Sequence, residues 1–332
     1  MAGVQGSAMC IAVSNAGGLG SLPCALLSLE TMRRELVAIS AQTSKPFNVN
    51  FFCHTPPSPD AAREARWRER LTPYFHELGI DLDGIPPAAA RMPFSHDAAD
   101  VISEFRPPVV SFHFGLPKRD LVHRVRSWGA KVLSSATTVD EARWLESEGV
   151  DIVIAQGADA GGHRGMFLSS NLNTQIGTNA LLLEILKAVN IPVIAAGGIA
   201  DADGVAAAIA LGAAGVQIGT AYLLCPEATT SAVYRAALQS GDARHTTITN
   251  VFTGRPARGI VNRLIRDLGP ISPDAPPFPL AAAAVAPLRA EAERLGRGDF
   301  SAMWAGTNVQ GCREVSAGDL TRELGNAIIS SG

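Results

Sequence analysis

Short apolar runs rich in β-branched residues recur along the chain. They close on Gly, Pro or Asn and alternate with segments of helical periodicity. The runs are Lys45–Phe52 (KPFNVNFF), Val109–Gly115 (VVSFHFG), Lys131–Ala136 (KVLSSA), Asp151–Gly157 (DIVIAQG), Pro192–Gly198 (PVIAAGG) and Gly215–Thr220 (GVQIGT), with Gly17–Leu22 as an earlier one. Between them lie Ser7–Ala16, Thr138–Glu148, Asn179–Val189 and Asp201–Leu211, which open near a polar residue and close near Gly or Asn, as helix ends prefer. Strand–helix alternation predicts a parallel sheet, and strands with little polar alternation predict one covered on both faces.

The expected fold is therefore an α/β TIM (β/α)8 barrel. Seven runs are one short of eight, and the opening MAGVQGSAMCIAVSNAGGLG reads as a strand end followed directly by its helix. The first strand is accordingly expected to be largely missing ahead of Met1, with an open doubly wound sheet as the competing layout. The alternation stops after Leu224. A Pro-rich passage (Gly269–Pro279) and helix-like stretches then predict a smaller helical substrate lobe over 225–298. Asp299–Gly306 and a final helix, Ala317–Ser330, return to the barrel, which is expected to comprise 1–224 plus 299–332.

Composition narrows the function classes. Of 332 residues, 47% are hydrophobic and 18% charged, and a net charge of −3 offers no basic footprint for nucleic acid or an anionic membrane. The apolar stretches around Ala206–Gln217 and Leu280–Leu288 are too short to span a bilayer, and the start lacks the basic region of a secretory signal. The five cysteines (Cys10, Cys24, Cys53, Cys225, Cys312) form no CxxC or Cys/His cluster, so neither a disulfide framework nor a zinc site is expected, and a cytoplasmic location fits.

Two glycine turns, Ala195–Ile199 (AAGGI) and Gln217–Thr220 (QIGT), close successive strands. Either alone reads equally as a tight turn or a phosphate site; together, one βα unit apart, they favour a phosphate, because glycine lets backbone N–H groups approach its oxygens. The loop Gln156–Gly165 (QGADAGGHRG) puts His163 a few residues past a strand, where an imidazole can serve as base, acid or donor. In SFHFG, period-two alternation puts Ser111, His113 and Gly115 on one face and Phe112 and Phe114 on the other. His113 thus faces either a ligand or a structural partner. Asn48, Asn50 and Gln156 are polar in apolar strands and need a partner, either the edge of a flavin or nucleotide ring or a buried backbone group. His54, His76, His96, His123 and His245 read as surface or loop residues. No metal-ligand spacing, covalent-nucleophile motif or dinucleotide fingerprint is present.

Taken in order, MAGV, SNAGGLGS, FNVNFF, SFHFG, QGADAGGHRG, IPVIAAGGIAD, GVQIGTAYL and FTGRPARGIVNR resemble the motifs of the nitronate monooxygenases, formerly called 2-nitropropane dioxygenases. The resemblance runs through nearly the whole chain. GGHRG with SFHFG is closer to the nitronate-oxidising branch than to the related NADH:quinone or enoyl-ACP reductases.

The resemblance implies an FMN-binding barrel with a smaller substrate lobe. It implies oxidation of a small-molecule nitronate or nitroalkane by O2, without a metal, to a carbonyl compound and nitrite; a homodimer is the assembly considered. Gly197, Gly198, Gly219 and Thr220 would hold the FMN phosphate, with Gln217 and Ile218 in the same turn. Asn50 and Gln156 would bind the isoalloxazine or ribityl chain, with Met1, Ala2 and Gly3 beside the ring and Gly161 in close backbone contact. His163 matches the active-site histidine, base towards nitroalkanes and partner of nitronates, and His113 a second histidine of the pocket wall.

The chain departs from the pattern in three places. A strand upstream of MAG is absent, Ala282 and Ala286 stand where the family carries a Tyr and a Lys, and Thr307 follows Trp304–Ala305–Gly306. The alternatives are an FMN-dependent NAD(P)H reductase of quinones or enoyl thioesters, an inactive FMN- or phosphate-binding barrel, and a phosphate-binding isomerase.

Overall fold

The computed structural model describes residues 1–82 and 91–329; Ser330, at the end of the expected last helix, lies outside them. Seven parallel strands form one curled sheet in chain order. They are β1 (Gly20–Pro23), β2 (Phe47–Phe52), β3 (Val109–His113), β4 (Lys131–Ala136), β5 (Ile152–Gln156) and, past a two-residue strand β6 (Gly162–His163) that pairs elsewhere, β7 (Val193–Ala196) and β8 (Gly215–Gln217). This is a TIM-barrel-like α/β fold, with each expected run at its place; β4 keeps its expected bounds, β1 is shifted to end at Pro23, and the others are trimmed by a residue or a few. β1 and β8 are not paired with each other. Residues 1–6 run beside β1 instead: the Gln5 side-chain amide donates to the Ser21 carbonyl (2.9 Å).

Around the sheet lie α1 (Ser7–Asn15), α2 (Leu29–Gln42), α3 (Ala61–Leu78), α4 (His96–Phe105), α5 (Arg119–Arg126), α6 (Val139–Ser147), α7 (Thr178–Leu186) and α8 (Ala202–Ala210). Their starts are fixed by side chains that accept the orphan N–H groups of the first turn. Ser28, Ser95, Thr138 and Asp201 cap α2, α4, α6 and α8. α7 begins at Thr178 and not, as read from sequence, at Asn179. Its cap is Gly177, and its first N–H is taken from across the loop by the Asp159 carboxylate (2.8 Å).

The strands alternate as a doubly covered sheet requires. Val49, Val110, Phe112, Val132, Val153 and Val193 point outward into the core shared with the helices. Leu133, Ile154 and Ala196 pack inside. Towards the C-terminal ends the inward residues turn polar: Asn50, Ser111, Ser135 and Gln156 line a cavity. One close approach is worth noting. A Cβ on Gly20 would lie 2.0 Å from the Cys10 carbonyl, so glycine there lets α1 sit directly on β1.

After β8 come α9 (Ala232–Gln239), β9 (Thr246–Thr249), β10 (Ala257–Ile260), α10 (Arg263–Leu268), α11 (Ala281–Arg294) and α12 (Ala317–Ile329). The expectation of a purely helical lobe is corrected here. β9 and β10 form an antiparallel pair, and β6 joins its other side. The β-branched TTIT of β9 favours a strand where residues outside a βα pattern were read as helix. The second core also draws in α3 from early in the chain. Trp67, Leu71 and Phe75 pack with Leu264, Val285, Leu288 and Phe300, and the Trp67 indole donates to the Ala281 carbonyl (3.2 Å). Among the described residues no helix is long and apolar enough to cross a membrane.

Candidate active site

A cavity of about 1470 Å³ opens at the C-terminal ends of the strands, where barrel enzymes carry their sites. The structure brings Met1, Ala2, Gly3, Asn50, His113, Gln156, Gly161, His163, Gly197, Gly198, Gln217, Ile218, Gly219 and Thr220 to its wall. Ala282 and Ala286 line it from α11.

The glycine turns form one end. Gly197 and Gly198 have φ of 126° and 70°, conformations that side chains resist. The N–H groups of Gly198 and Gly219 meet no acceptor among the described residues. The Thr220 hydroxyl oxygen accepts from the Gly306 N–H (3.0 Å), which leaves its own hydrogen to donate. Donors without acceptors around a glycine-lined hollow suit a phosphate. Gly161 serves the chain itself: a Cβ there would lie 2.6 Å from the Gly306 nitrogen, so its bareness admits the 305–306 segment.

The polar strand residues are tied to one another. The Asn48 and Asn50 amides both donate to the Ser111 hydroxyl oxygen (2.8 Å each). Asn48 Oδ1 is buried without a partner. Gln156 spends its amide on the histidine loop. Its Nε2 donates to the His163 carbonyl (2.9 Å) and its Oε1 accepts from the Gly165 N–H (2.7 Å).

His113 does the same. Its Nε2 lies 3.0 Å from the His163 carbonyl, which can only accept, so Nε2 carries the proton and Nδ1 accepts from the Ser135 hydroxyl (3.0 Å). Burial pushes its pKa down to about 3, reinforced by Arg255 and Arg164, so the ring is neutral and braces the loop.

His163 sits at the tip of that loop among the rings of Phe52, Phe114, Phe278 and Trp304. Its Nε2 is 2.9 Å from the Thr253 hydroxyl, which also lies 3.4 Å from the Arg255 carbonyl. With the hydroxyl hydrogen on that carbonyl, Nε2 is the donor and Nδ1 keeps its lone pair. Desolvation, helped by Arg91, His113, Arg255 and His54, holds this histidine well below its usual pKa. An expected result follows for pH dependence. The His163 ring is expected to stay neutral through pH 6.5, and an NMR titration of its ring protons with a midpoint near 6.5 would overturn this placement.

Beneath the loop, Arg164 is 1% exposed and donates to the carbonyls of Gln156 (2.6 Å) and Gly157 (2.7 Å) and to Gln175 (2.9 Å). Glu141, equally buried, accepts from the Thr137 N–H and hydroxyl (2.7 Å each) and the Phe167 N–H (2.6 Å). Glu141→Ala leaves these donors without an acceptor and is expected to cost roughly 3 kcal/mol, read from urea midpoints. A change under about 0.5 kcal/mol would show the network to be dispensable.

One sequence reading is completed and one corrected. His54 lies in the loop after β2, as one of its two readings had it, yet it is buried there: it is 5% exposed and packs against Phe114 and Phe278 (centroids 6.2 and 4.9 Å). Phe114 does not share the outward face of Phe112. Its φ of 72° ends the strand and turns its ring to Phe52 and Phe278 at the cavity mouth. Glu141 and Arg91 escaped the sequence reading, and Thr253 and Arg255 stood inside FTGRPARGIVNR without a role assigned to them; tertiary packing brings all four to the site. Among the described residues no group of three or more His, Cys, Asp or Glu is placed to hold a metal ion.

A parallel barrel with a deep cavity at its strand ends and a desolvated histidine beside a glycine cradle is the layout of an enzyme. The family model described as nitronate monooxygenase matches residues 1–326. Nitronate monooxygenase of Pseudomonas aeruginosa is 42% identical over 98% of this chain and 93% of its own length. The crystal structure of nitroalkane oxidase from Streptomyces ansochromogenes is similar at a TM-score of 0.90 and 36% identity, covering 100% of this chain and 96% of that one. FabK from Thermotoga maritima follows at 0.71 and 27%, covering 100% and 91%. The chain belongs to the nitronate monooxygenase family, a family of flavin-dependent oxidoreductases.

Proposed function

We propose that this chain oxidises alkyl nitronates, and nitroalkanes that it first deprotonates, with O2 to a carbonyl compound and nitrite, using FMN. The observation that carries the reading is a neutral, desolvated His163 opening on the same cavity as the glycine cradle. The residues present fit a flavin ending in one phosphate. The N–H groups of Gly198 and Gly219 and the Thr220 hydroxyl would hold that phosphate, and Asn50 would meet polar atoms of the ring or ribityl chain. FMN, when bound, supplies the ring that accepts the substrate's electrons and passes them to oxygen.

The chain's own part is orientation and the proton. Gln156 and His113 fix the His163 carbonyl, and Thr253 fixes its tautomer. Nδ1 takes the α-proton of a nitroalkane, and the resulting imidazolium faces the nitronate oxygens. The aromatic wall of Phe52, Phe114, Phe278 and Trp304 keeps water from that pair, which strengthens it. Free thiols at all five cysteines suit a reducing compartment such as the cytoplasm.

The test is oxygen uptake by FMN-loaded protein with ethyl nitronate, run beside NADH. Uptake with the nitronate alone is the expected result. NADH oxidation without nitronate turnover would move the chain to the reductases.

A further inference from the structure

Residues 305–312 form a strap laid across the glycine turns that follow β7 and β8, and it is anchored on both sides. At its start the Gly306 N–H donates to the Thr220 hydroxyl oxygen (3.0 Å) and the Thr307 N–H to the Asp159 carbonyl (3.0 Å). At its end the Cys312 thiol donates to the Thr220 carbonyl (3.0 Å). Gly311 is pressed so close to the turn after β7 that a Cβ there would lie 2.2 Å from the Ala200 carbonyl. Ala305 and Val309 are buried with Leu223 and Leu224, just past the second turn. Thr307 and Asn308 lie between these anchors.

Asn308 is half-buried and lines the cavity together with Gly198, Gly219 and Thr220. Its Oδ1 accepts from the Gln310 N–H (3.2 Å), so the oxygen of the amide is spent on the strap and the NH2 group is left over. Nδ2 meets no acceptor among the described residues. The Thr307 hydroxyl stands at the rim of the cradle, 3.4 Å from where a Gly198 Cβ would lie, with only a long contact of 3.5 Å to the Asp159 carboxylate.

The cradle's own donors, two backbone N–H groups and the Thr220 hydroxyl, are neutral. The side chain nearest the Gly198 Cβ position belongs to an acid: Asp159, whose Cβ is 3.2 Å from it and whose carboxylate accepts from the Thr178 N–H (2.8 Å) and hydroxyl (3.1 Å). A phosphate monoester carries about −1.5 to −2 charge at pH 7. Close to a carboxylate, such an anion gains from every further donor that reaches it, and a hydrogen bond to a charged oxygen is roughly twice as strong as a neutral one.

We propose that Asn308 donates its side-chain amide to the terminal phosphate of the flavin and so closes the cradle from the strap, with the Thr307 hydroxyl as a weaker second donor. The assignment rests on the reading above that the glycine turns hold that phosphate. Riboflavin has the same ring and ribityl chain and lacks the phosphate. Asn308 therefore acts on FMN alone and sets the preference between the two.

The test compares the two flavins in the same protein. Loaded protein is diluted and the released flavin is read by its fluorescence, once with FMN in the site and once with riboflavin. The unsubstituted protein is expected to hold FMN at least about 100-fold more tightly. Asn308→Ala is expected to weaken FMN about tenfold and to leave riboflavin unchanged. Asn308→Asp is the sharper variant. It keeps the side-chain shape and the oxygen that takes the Gln310 N–H, but it presents an anion to an anion. FMN is expected to be held roughly 100-fold more weakly, and riboflavin within about twofold of its original affinity.

Equal affinity for FMN and riboflavin in the unsubstituted protein would refute the phosphate cradle, and the proposal with it. A preference for FMN that Gly219→Val abolishes and both Asn308 variants retain overturns the proposal and leaves the cradle standing. Equal losses of the two flavins in the Asn308 variants make the residue a part of the strap's own fold, which overturns it as well.

Discussion

His163→Asn is expected to keep its flavin and to lose roughly 10²- to 10⁴-fold in kcat/KM on neutral nitroalkanes, the range removal of a positioned base produces. Asparagine is smaller than the imidazole but polar, so it leaves only a small hollow beneath the aromatic collar of Phe52, Phe278 and Trp304. It has no lone pair basic enough to take a carbon-bound proton. A preformed nitronate needs no such transfer, so its oxidation is expected to fall far less. The two substrates therefore divide the roles of the side chain. Equal losses on both would make His163 a positioning group, and unchanged rates would remove it from the mechanism.

The second large effect is on the cofactor. Gly198→Val forces a β-branched residue to φ of 70° and puts its Cβ 3.2 Å from that of Asp159. The branched side chain also stands where the N–H must reach a phosphate, and flavin affinity is expected to drop about 100-fold, measured as flavin content after dialysis. Gly219→Val separates binding from folding. Its φ of −119° suits any residue, and its Cβ would meet Met1 Cγ at an ordinary 3.6 Å. That variant is expected to melt at the unsubstituted temperature and still lose flavin. Full flavin content in Gly219→Val would refute the phosphate site.

Much of the barrel was legible because its strands announce themselves locally. KVLSSA and VIAA are short, β-branched or small, and closed by turn residues, and a sheet covered on both faces leaves no other pattern to confuse with them. His163 and the glycine turns were legible because they sit directly after such strands. The β9–β10 pair was not, because nothing in its few residues says that a two-residue strand some eighty positions earlier will complete it. The packing of α3 on α11 joins residues more than two hundred positions apart, and amphipathic periodicity shows a buried face without naming its partner. The burial of the loop residue His54 was hidden for the same reason: its neighbours Phe114 and Phe278 come from distant segments. His113 and Gln156 were found as polar residues in apolar strands, yet only the fold shows that both are spent on one carbonyl.

His163 is held from two sides, because β6 pairs with β10 of the lobe while Gln156 and His113 on barrel strands hold its carbonyl. Its imidazole therefore rides on a seam, whereas the glycine turns belong to the barrel alone. A graft that exchanged the lobe for another and left residues 162–164 with the barrel would keep the carbonyl tethered and lose the Thr253 contact. A lobe transplanted together with that dipeptide strand would leave Gln156 and His113 without the carbonyl they share.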